Sequence, residues 1–311
     1  MKSEIVVVDG KVLHLGLAKG QLARNIFLVG DPARAIRVAE RFDNITAEVR
    51  NREFVTITGS YNGVPVSVIG TGIGVDNVEI ALVEAYTVGA FDFDSAQYLP
   101  GSPPLKFIRI GTSAGIQDNI EPGTMAISTY ALGLDNAGLY YDHPAADQVV
   151  TQIEQRALEI LTNCTPAGAR FRDKIVPYAA KASPAVAAAL ADSAAALKMD
   201  HVIGITAATP GFYGPSSRFI EGLANTIPSI KTQLSDLQIE DQKVVNMEME
   251  SSLLFHLAGH LGCLVGTICP IISKPTASTA ILDYSASIES AISIAMSAMC
   301  ELDGDQPVAS R

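Results

Sequence analysis

Short runs of β-branched and apolar residues recur along the chain at Ile26 to Val29, Val55 to Thr58, Val64 to Ile69, Phe107 to Ile110, Met125 to Ser128, His201 to Thr206 and Cys263 to Ile272. Runs of this length and composition predict strands. Between them lie segments with apolar positions at helical spacing: Asp31 to Phe42, Asn77 to Gly89, Pro144 to Thr162, Ala185 to Ala196 and Met249 to Leu261. Alternating strands and helices predict an α/β fold. The Ala-rich stretch from Ser183 to Lys198 opens on Ser-Pro, with Pro184 suited to a first helical turn, so it reads as a helix and not as low complexity. Phe91 to Pro104, carrying Gly101, Pro103 and Pro104, reads as an insertion or loop, and the tail after Leu302 as polar and frayed. No internal repeat is visible, and residues 1–311 are read as one domain.

At 311 residues with 48% hydrophobic and 18% charged, the chain can bury a large core, which excludes a disordered or fibrous protein. Its net charge of -11 has the wrong sign for a surface that meets nucleic acid or an anionic membrane, so any basic site must be local. Four cysteines with no C-x-x-C spacing fit a reducing, cytoplasmic setting, and neither a signal peptide nor an apolar run of membrane-spanning length is expected.

Three turns that follow strands carry candidate chemistry. Gly30-Asp31-Pro32-Ala33-Arg34 opens a helix, whose free N–H groups together with Arg34 suit an anion, although an ordinary Asp-Pro helix start has the same form. Gly70-Thr71-Gly72-Ile73-Gly74 lacks the spacing of a dinucleotide fingerprint and reads equally as a tight turn. Arg109-Ile110-Gly111-Thr112-Ser113-Ala114-Gly115 contains the G-x-S-x-G pattern of a serine hydrolase elbow, with Ser113 as nucleophile. Strand alternation, however, places Arg109 on the same side as Gly111, and an Arg beside a glycine turn with two hydroxyls suits an oxyanion such as phosphate equally well. Further along, Asn246 to Glu250 reads as a helix start with capping acids, or as carboxylates for sugar hydroxyls with Met249 against the sugar face. His256 and His260 have metal-ligand spacing but no adjacent acid, so an ordinary helix face is favoured. Phe212 to Arg218 places two aromatics and an Arg in a turn able to clamp a planar ring.

Taken in chain order, Leu13-His14-Leu15-Gly16-Leu17, Gly30 to Arg34, Arg52-Glu53-Phe54, Gly70 to Gly74, Arg109 to Thr112, Phe212-Tyr213 and Glu248-Met249-Glu250 resemble the nucleoside phosphorylase family, most closely its uridine-cleaving members. The resemblance spans about residues 13 to 275; each motif is weak alone, while their joint order is specific. It implies a three-layer α/β/α fold with a mixed, partly barrel-like sheet, assembled as a homodimer or a ring of dimers with shared active sites. It also implies reversible phosphorolysis of a nucleoside, with inorganic phosphate as co-substrate and no metal or organic cofactor. By the same resemblance, phosphate is held by Gly30, Arg34, Arg109 and Thr112 with Arg52 from the neighbouring subunit. Glu248, Met249 and Glu250 take the ribose, with His14 of the partner at its 5′-hydroxyl, and Ser113, Phe212, Ser216 and Arg218 line the base.

One departure stands out. Ser216 occupies the position where the family's uracil-reading turn carries a Gln, so water, Ser217 or another residue must substitute, or the base preference has shifted. Lys274 replaces an Arg that backs this region in bacterial members, and the Ile271 to Pro275 segment lacks the Asp of purine-cleaving relatives. The alternatives are therefore a phosphorylase for another nucleoside, or a nucleoside-binding protein without turnover. On the sequence alone, Arg109→Ala is expected to abolish phosphorolysis with the fold intact, and Ser216→Gln to tighten uridine binding.

Overall fold

The computed structural model describes residues 3–274 and 284–304. In chain order the principal elements are β1 (Asn25–Val29), α1 (Pro32–Ala39), β2 (Asn44–Asn51), β3 (Phe54–Tyr61), β4 (Val64–Gly70), α2 (Val75–Ala90), β5 (Lys106–Ile110), β6 (Met125–Gly133), α3 (Gln148–Cys164), β7 (Tyr178–Lys181), α4 (Pro184–Ala196), β8 (His201–Ala208), α5 (Ile230–Leu234), β9 (Gln242–Glu248), α6 (Ser251–His260), β10 (Leu264–Pro270) and α7 (Ser285–Gly304). The fold is α/β, with one large mixed sheet covered by helices on both faces.

Strand period explains the layers. On β1, Phe27 and Val29 join one buried cluster with α1, α4 and α7, while Ile26 and Leu28 join another with α2 and α6. On β5, Ile108 and Ile110 face the first cluster and Phe107 the second. Two-residue alternation sends successive side chains to opposite faces, so both must be apolar where helices cover both. Arg109 shares parity with Phe107, and only its place at the end of the strand brings its charge to a cavity instead of the core.

β5 lies between β1 and β10, parallel to both, and β1 pairs in parallel with β4. The sheet path runs from Ala114–Gly115 through β9, β8, β6, β10 and β5 to β1, β4, β3 and β2. Because Lys106–Ile110 and Ala114–Gly115 belong to one continuous segment, the path through β10, β6, β8 and β9 returns to where it began. This half of the sheet is therefore curled and barrel-like, closed by Ser113 bridging Ile271 and Gly115 N–H donating to Ser273 O at 2.9 Å. β6 makes the change of partner, pairing β10 at Met125 to Ile127 and β7 at Tyr130 to Gly133, with a bulge between Ser128 and Tyr130.

Several elements differ from the sequence pattern. Asn246 to Glu248 ends strand β9 and does not begin a helix; α6 starts at Ser251. β9 is buried without alternation from Val244 to Glu248, and Val-Val-Asn-Met-Glu has no two-residue period to separate it from a helix turn. β2 is an edge strand whose polar positions hide the alternation of Ile45, Ala47 and Val49, and the Tyr178–Lys181 strand is only four residues long. α7 lies outside the strand and helix pattern above, although Ile288, Ile292, Ala295, Met299 and Leu302 recur at helical spacing and are buried. Asp303 and Gly304, in the tail expected to fray after Leu302, are still helical; residues 305–311 and Pro275 lie outside the described residues. Residues 91–104 contain a minimal hairpin, Phe91–Asp92 with Gln97–Tyr98.

Candidate active site

The ends of β1, β5, β8 and β9 meet around a cavity of about 620 Å³. Its lining brings together Gly30, Arg34, Arg109, Thr112, Ser113, Phe212, Ser216, Arg218, Glu248, Met249 and Glu250. These are all the expected site residues except His14 and Arg52.

Arg34 enters from α1. Asp31 caps that helix, its side chain accepting the Ala33 N–H at 2.9 Å, and Pro32 occupies the first turn. The Asp-Pro start is thus an ordinary cap and also the device that aims Arg34 inward. The Arg34 guanidinium is buried and donates to Ile110 O at 3.1 Å. Burial and the neighbouring Arg109 charge push its pKa down. Like charges brought together out of water favour an anion between or before them.

Arg109 is fixed more tightly. It pairs with Glu250 through a short hydrogen bond and lies 3.4 Å from Glu248, and its other terminal nitrogen contacts Cys269 Sγ at 3.5 Å. Burial alone would lower its pKa, but Glu250 and Glu248 outweigh it and hold the group above the usual guanidinium range. Gly111 leaves the space this requires: a Cβ there would sit 1.7 Å from the Arg109 Nη1 and 2.6 Å from Cys269 Sγ. The glycine of this turn is therefore dictated by a close approach, since a hydrolase elbow is absent. Ser113 Oγ is buried and meets Pro270 O at 3.4 Å, and among the described residues no histidine lines the cavity to activate it.

Glu248 and Glu250 bracket the entry to α6. Glu248 accepts the Ser251 N–H at 2.9 Å and the Glu250 N–H at 3.0 Å, which is helix capping, while it also faces the cavity. Burial lifts its pKa to about 7 against the pull of Arg109. Glu250 accepts the Gly74 N–H at 2.8 Å, tying the Gly70 to Gly74 turn to the site; Gly72 and Ile73 line the cavity.

The opposite end is made by the turn after β8. Arg218 lies over the Phe212 ring at 3.8 Å and donates to Phe212 O at 2.6 Å. Ser216 Oγ donates to Gly211 O at 2.9 Å and sits 3.2 Å from Thr209 Oγ1. The Lys231 N–H donates to Ser217 Oγ at 3.0 Å, which joins the turn to α5. Lys231 itself lines the cavity and is absent from the sequence reading, as is Tyr284; Met247 and Ile272 also line it, within segments read above but without a site role of their own. Nothing in the IKTQL segment distinguishes that lysine from a surface one.

His14 and Arg52 lie outside their own chain's cavity but beside one another. Asn51 donates to Leu13 O at 3.0 Å and to His14 O at 2.8 Å, while Glu84 accepts the His14 N–H and faces its Nδ1 at 2.6 Å. Arg52 is exposed, with φ of 52° at the tip of the β2–β3 hairpin. Lys274 does not back the base turn: its ammonium pairs with Glu121 at 2.7 Å on the surface. His256 meets Tyr141 O at 2.8 Å and the His260 ring lies tilted against that of His143, and among the described residues no group of three or more His, Cys, Asp or Glu is arranged to hold a metal. Among those residues, too, no helix is long and apolar enough to cross a membrane.

The sequence model of the Phosphorylase superfamily matches residues 24–301. A uridine phosphorylase of Thermococcus kodakarensis is 30% identical over 266 residues, 86% of this chain and 78% of that protein. A uridine phosphorylase of Haemophilus influenzae is 29% identical over 270 residues, 85% and 87% of the two chains. Among solved structures, a nucleoside phosphorylase of Trypanosoma brucei described as showing uridine phosphorylase activity superposes with a TM-score of 0.84 at 29% identity, covering 96% of this chain and 100% of that one.

Proposed function

This chain belongs to the phosphorylase superfamily, and from that premise we propose that it is a uridine phosphorylase, converting uridine and inorganic phosphate reversibly to uracil and ribose 1-phosphate. The observation that carries the reading is the pair of buried guanidiniums, Arg34 and Arg109, facing one end of a cavity whose other end is an aromatic and cationic turn.

Phosphate lies against Gly30, Arg34, Arg109 and Thr112. Arg52 of the partner subunit completes the cradle and His14 of the partner subunit reaches the ribose 5′-hydroxyl. The support for sharing is that both residues lie outside their own cavity and are tied together through Asn51. The assembly is then a homodimer or a ring of dimers. Met249 packs on the ribose, and Glu248 and Glu250 accept its hydroxyls, with Glu250 keeping Arg109 in place from the other side.

The chemistry follows from that order. A phosphate oxygen attacks the anomeric carbon as its bond to the pyrimidine N1 breaks, and the bonding pair leaves with the base and spreads onto its carbonyl oxygens. Fixed guanidiniums position the dianion and balance charge as the sugar becomes oxocarbenium-like, and cations near the base stabilise the departing anion. No enzyme nucleophile, metal or organic cofactor enters this scheme. The role is pyrimidine nucleoside salvage in the cytoplasm, in keeping with four cysteines none of which forms a disulfide.

The test is release of free base from uridine, thymidine, inosine and adenosine, each with and without phosphate. Uracil released only with phosphate is expected; release without phosphate, or from purine nucleosides alone, overturns the reading.

A further inference from the structure

The base end of the cavity poses a question of supply. A pyrimidine dione presents two carbonyl oxygens, and on leaving it carries a negative charge shared between them. The hydroxyls of Thr209, Ser216 and Ser217 and one side of the Arg218 guanidinium are already engaged, while Tyr213 does not line the cavity. Ser216 holds Gly211 O and Thr209, Ser217 accepts the Lys231 N–H, and Arg218 is stacked on Phe212 with one nitrogen on its carbonyl. Arg218 retains N–H donors with no partner among the described residues, and the serines are too short to reach a ring.

Lys231 is different. The residue lines the same cavity, half-buried, and its ammonium makes no hydrogen bond or ion pair with any described residue. A partly desolvated ammonium without a carboxylate is unfavourable by itself, and a second cation near it makes it more so. Burial and the Arg218 charge do push the Lys231 pKa down. Arg218 likewise has no carboxylate partner among the described residues, and its own pKa is lowered by burial. Two cations that line one cavity with no carboxylate partner among the described residues, in a protein of net charge -11, mark a place for oxygen atoms that carry or gain negative charge.

We propose that Lys231 is a base-contacting residue which, with Arg218, holds the carbonyl oxygens of a pyrimidine dione, doing with an ammonium what an amide at position 216 would do. The inference rests on the reading of the site given above. It assigns Lys231 to both recognition and leaving-group stabilisation: the ammonium donates to a carbonyl in the bound nucleoside, and that contact strengthens as the glycosidic bonding pair reaches the oxygen. It also predicts discrimination, because cytosine would set an amino group, a donor, against a cation with no acceptor.

The experiment compares wild type, Lys231→Met and Lys231→Arg, each first checked for an unchanged melting temperature. With uridine, Lys231→Met is expected to lose about 20- to 100-fold in kcat/KM, a loss the size of one charge-assisted contact that strengthens in the transition state, with phosphate KM within about twofold. Lys231→Arg should recover part of the loss. With 5-fluorouridine, whose base leaves more readily, the loss should be smaller. Uridine kcat/KM within about threefold of wild type in Lys231→Met, or a loss shared equally by the phosphate KM, overturns the assignment. Calorimetric titration with uracil separates this inference from the activity. If wild type binds uracil, leaves uridine uncleaved, and binding weakens about tenfold in Lys231→Met, the phosphorylase reading falls and the base contact stands. Equal uracil affinity in both overturns the contact whatever the activity, and a wild type that neither binds uracil nor cleaves uridine overturns both.

Discussion

The two ends of the cavity are built on different principles. At the phosphate end, Arg109 and Glu248 sit at or beside strand ends, Arg34 is in the first turn of a capped helix, and all three are buried and fixed by named partners. At the base end, Phe212 to Arg218 and α5 form a turn and a five-residue helix, partly exposed, whose side chains are satisfied mostly by one another. Rigid elements hold reacting atoms to the tolerance that chemistry requires, whereas a turn held by its own hydrogen bonds can exchange residues without disturbing the core. The difference explains why an unusual Ser216 is found at the second end and no departure at the first.

The largest effect should come from breaking the rigid end. Arg109→Ala removes the counter-charge of two buried carboxylates, so turnover should fall by roughly 10³-fold and stability by about 3–5 kcal/mol. The sequence alone suggested an intact fold for this variant; the buried position of Glu248 and Glu250 beside Arg109 revises that. Equilibrium denaturation and initial rates check both, and a fully stable variant would show that the carboxylates take up protons at little cost. Gly111→Ala should be next, at about 100-fold in turnover, because the new Cβ must displace the Arg109 guanidinium, which is the flexible end of a side chain, while Gly111 has an ordinary φ. Steady-state kinetics should show the loss with phosphate KM raised, and the melting temperature should move less than in Arg109→Ala.

Glu248 adds a pH signature to the same end. Its pKa is raised by burial from 4.5 to about 7. Below about pH 4.5 folded and unfolded chains both hold the proton; between that value and about 7 only the folded chain does. This group's contribution to stability is therefore complete at low pH and is lost as pH rises through about 7. Glu248→Gln has no such titration. Between pH 5 and pH 8 the variant should gain on wild type by on the order of 1–3 kcal/mol, read as the difference of two denaturation curves at each pH. Parallel pH dependence in both proteins would place the titration elsewhere.

The same contrast governs what could be read from the sequence. The phosphate end was legible because its residues sit in motifs that strands and helix starts impose: Gly30 to Arg34 at a capped helix, and Arg109 with Gly111 by strand parity. The short distance between a Gly111 Cβ and the Arg109 guanidinium is the spatial form of that parity argument. Lys231 was not legible. It reaches the cavity only because Ser217 accepts its N–H and places α5 under the turn, a contact across 14 positions with no pattern in either segment. Lys274 failed in the opposite sense: its place in the motif suggested a supporting role, and a surface pair with Glu121 takes it away from the turn.

The smallest effects, at the base end, sharpen the comparison most. From the sequence, Ser216→Gln should tighten uridine binding by restoring an amide. In the structure Ser216 Oγ is a strut of the turn, bonded to Gly211 O at 2.9 Å and beside Thr209 Oγ1 at 3.2 Å. A longer amide would give up both contacts, each worth about 1 kcal/mol, and would enter a space already served by Arg218 and Lys231. Loss of the strut and gain of a base contact then nearly cancel. Uridine KM should change by less than about threefold in either direction, with phosphate KM unmoved. A tightening of about tenfold would mean that the turn tolerates the change and that an amide reads the base better than the ammonium does. The base end would then be a vacancy left by Ser216, and the case for Lys231 as its functional replacement would weaken accordingly.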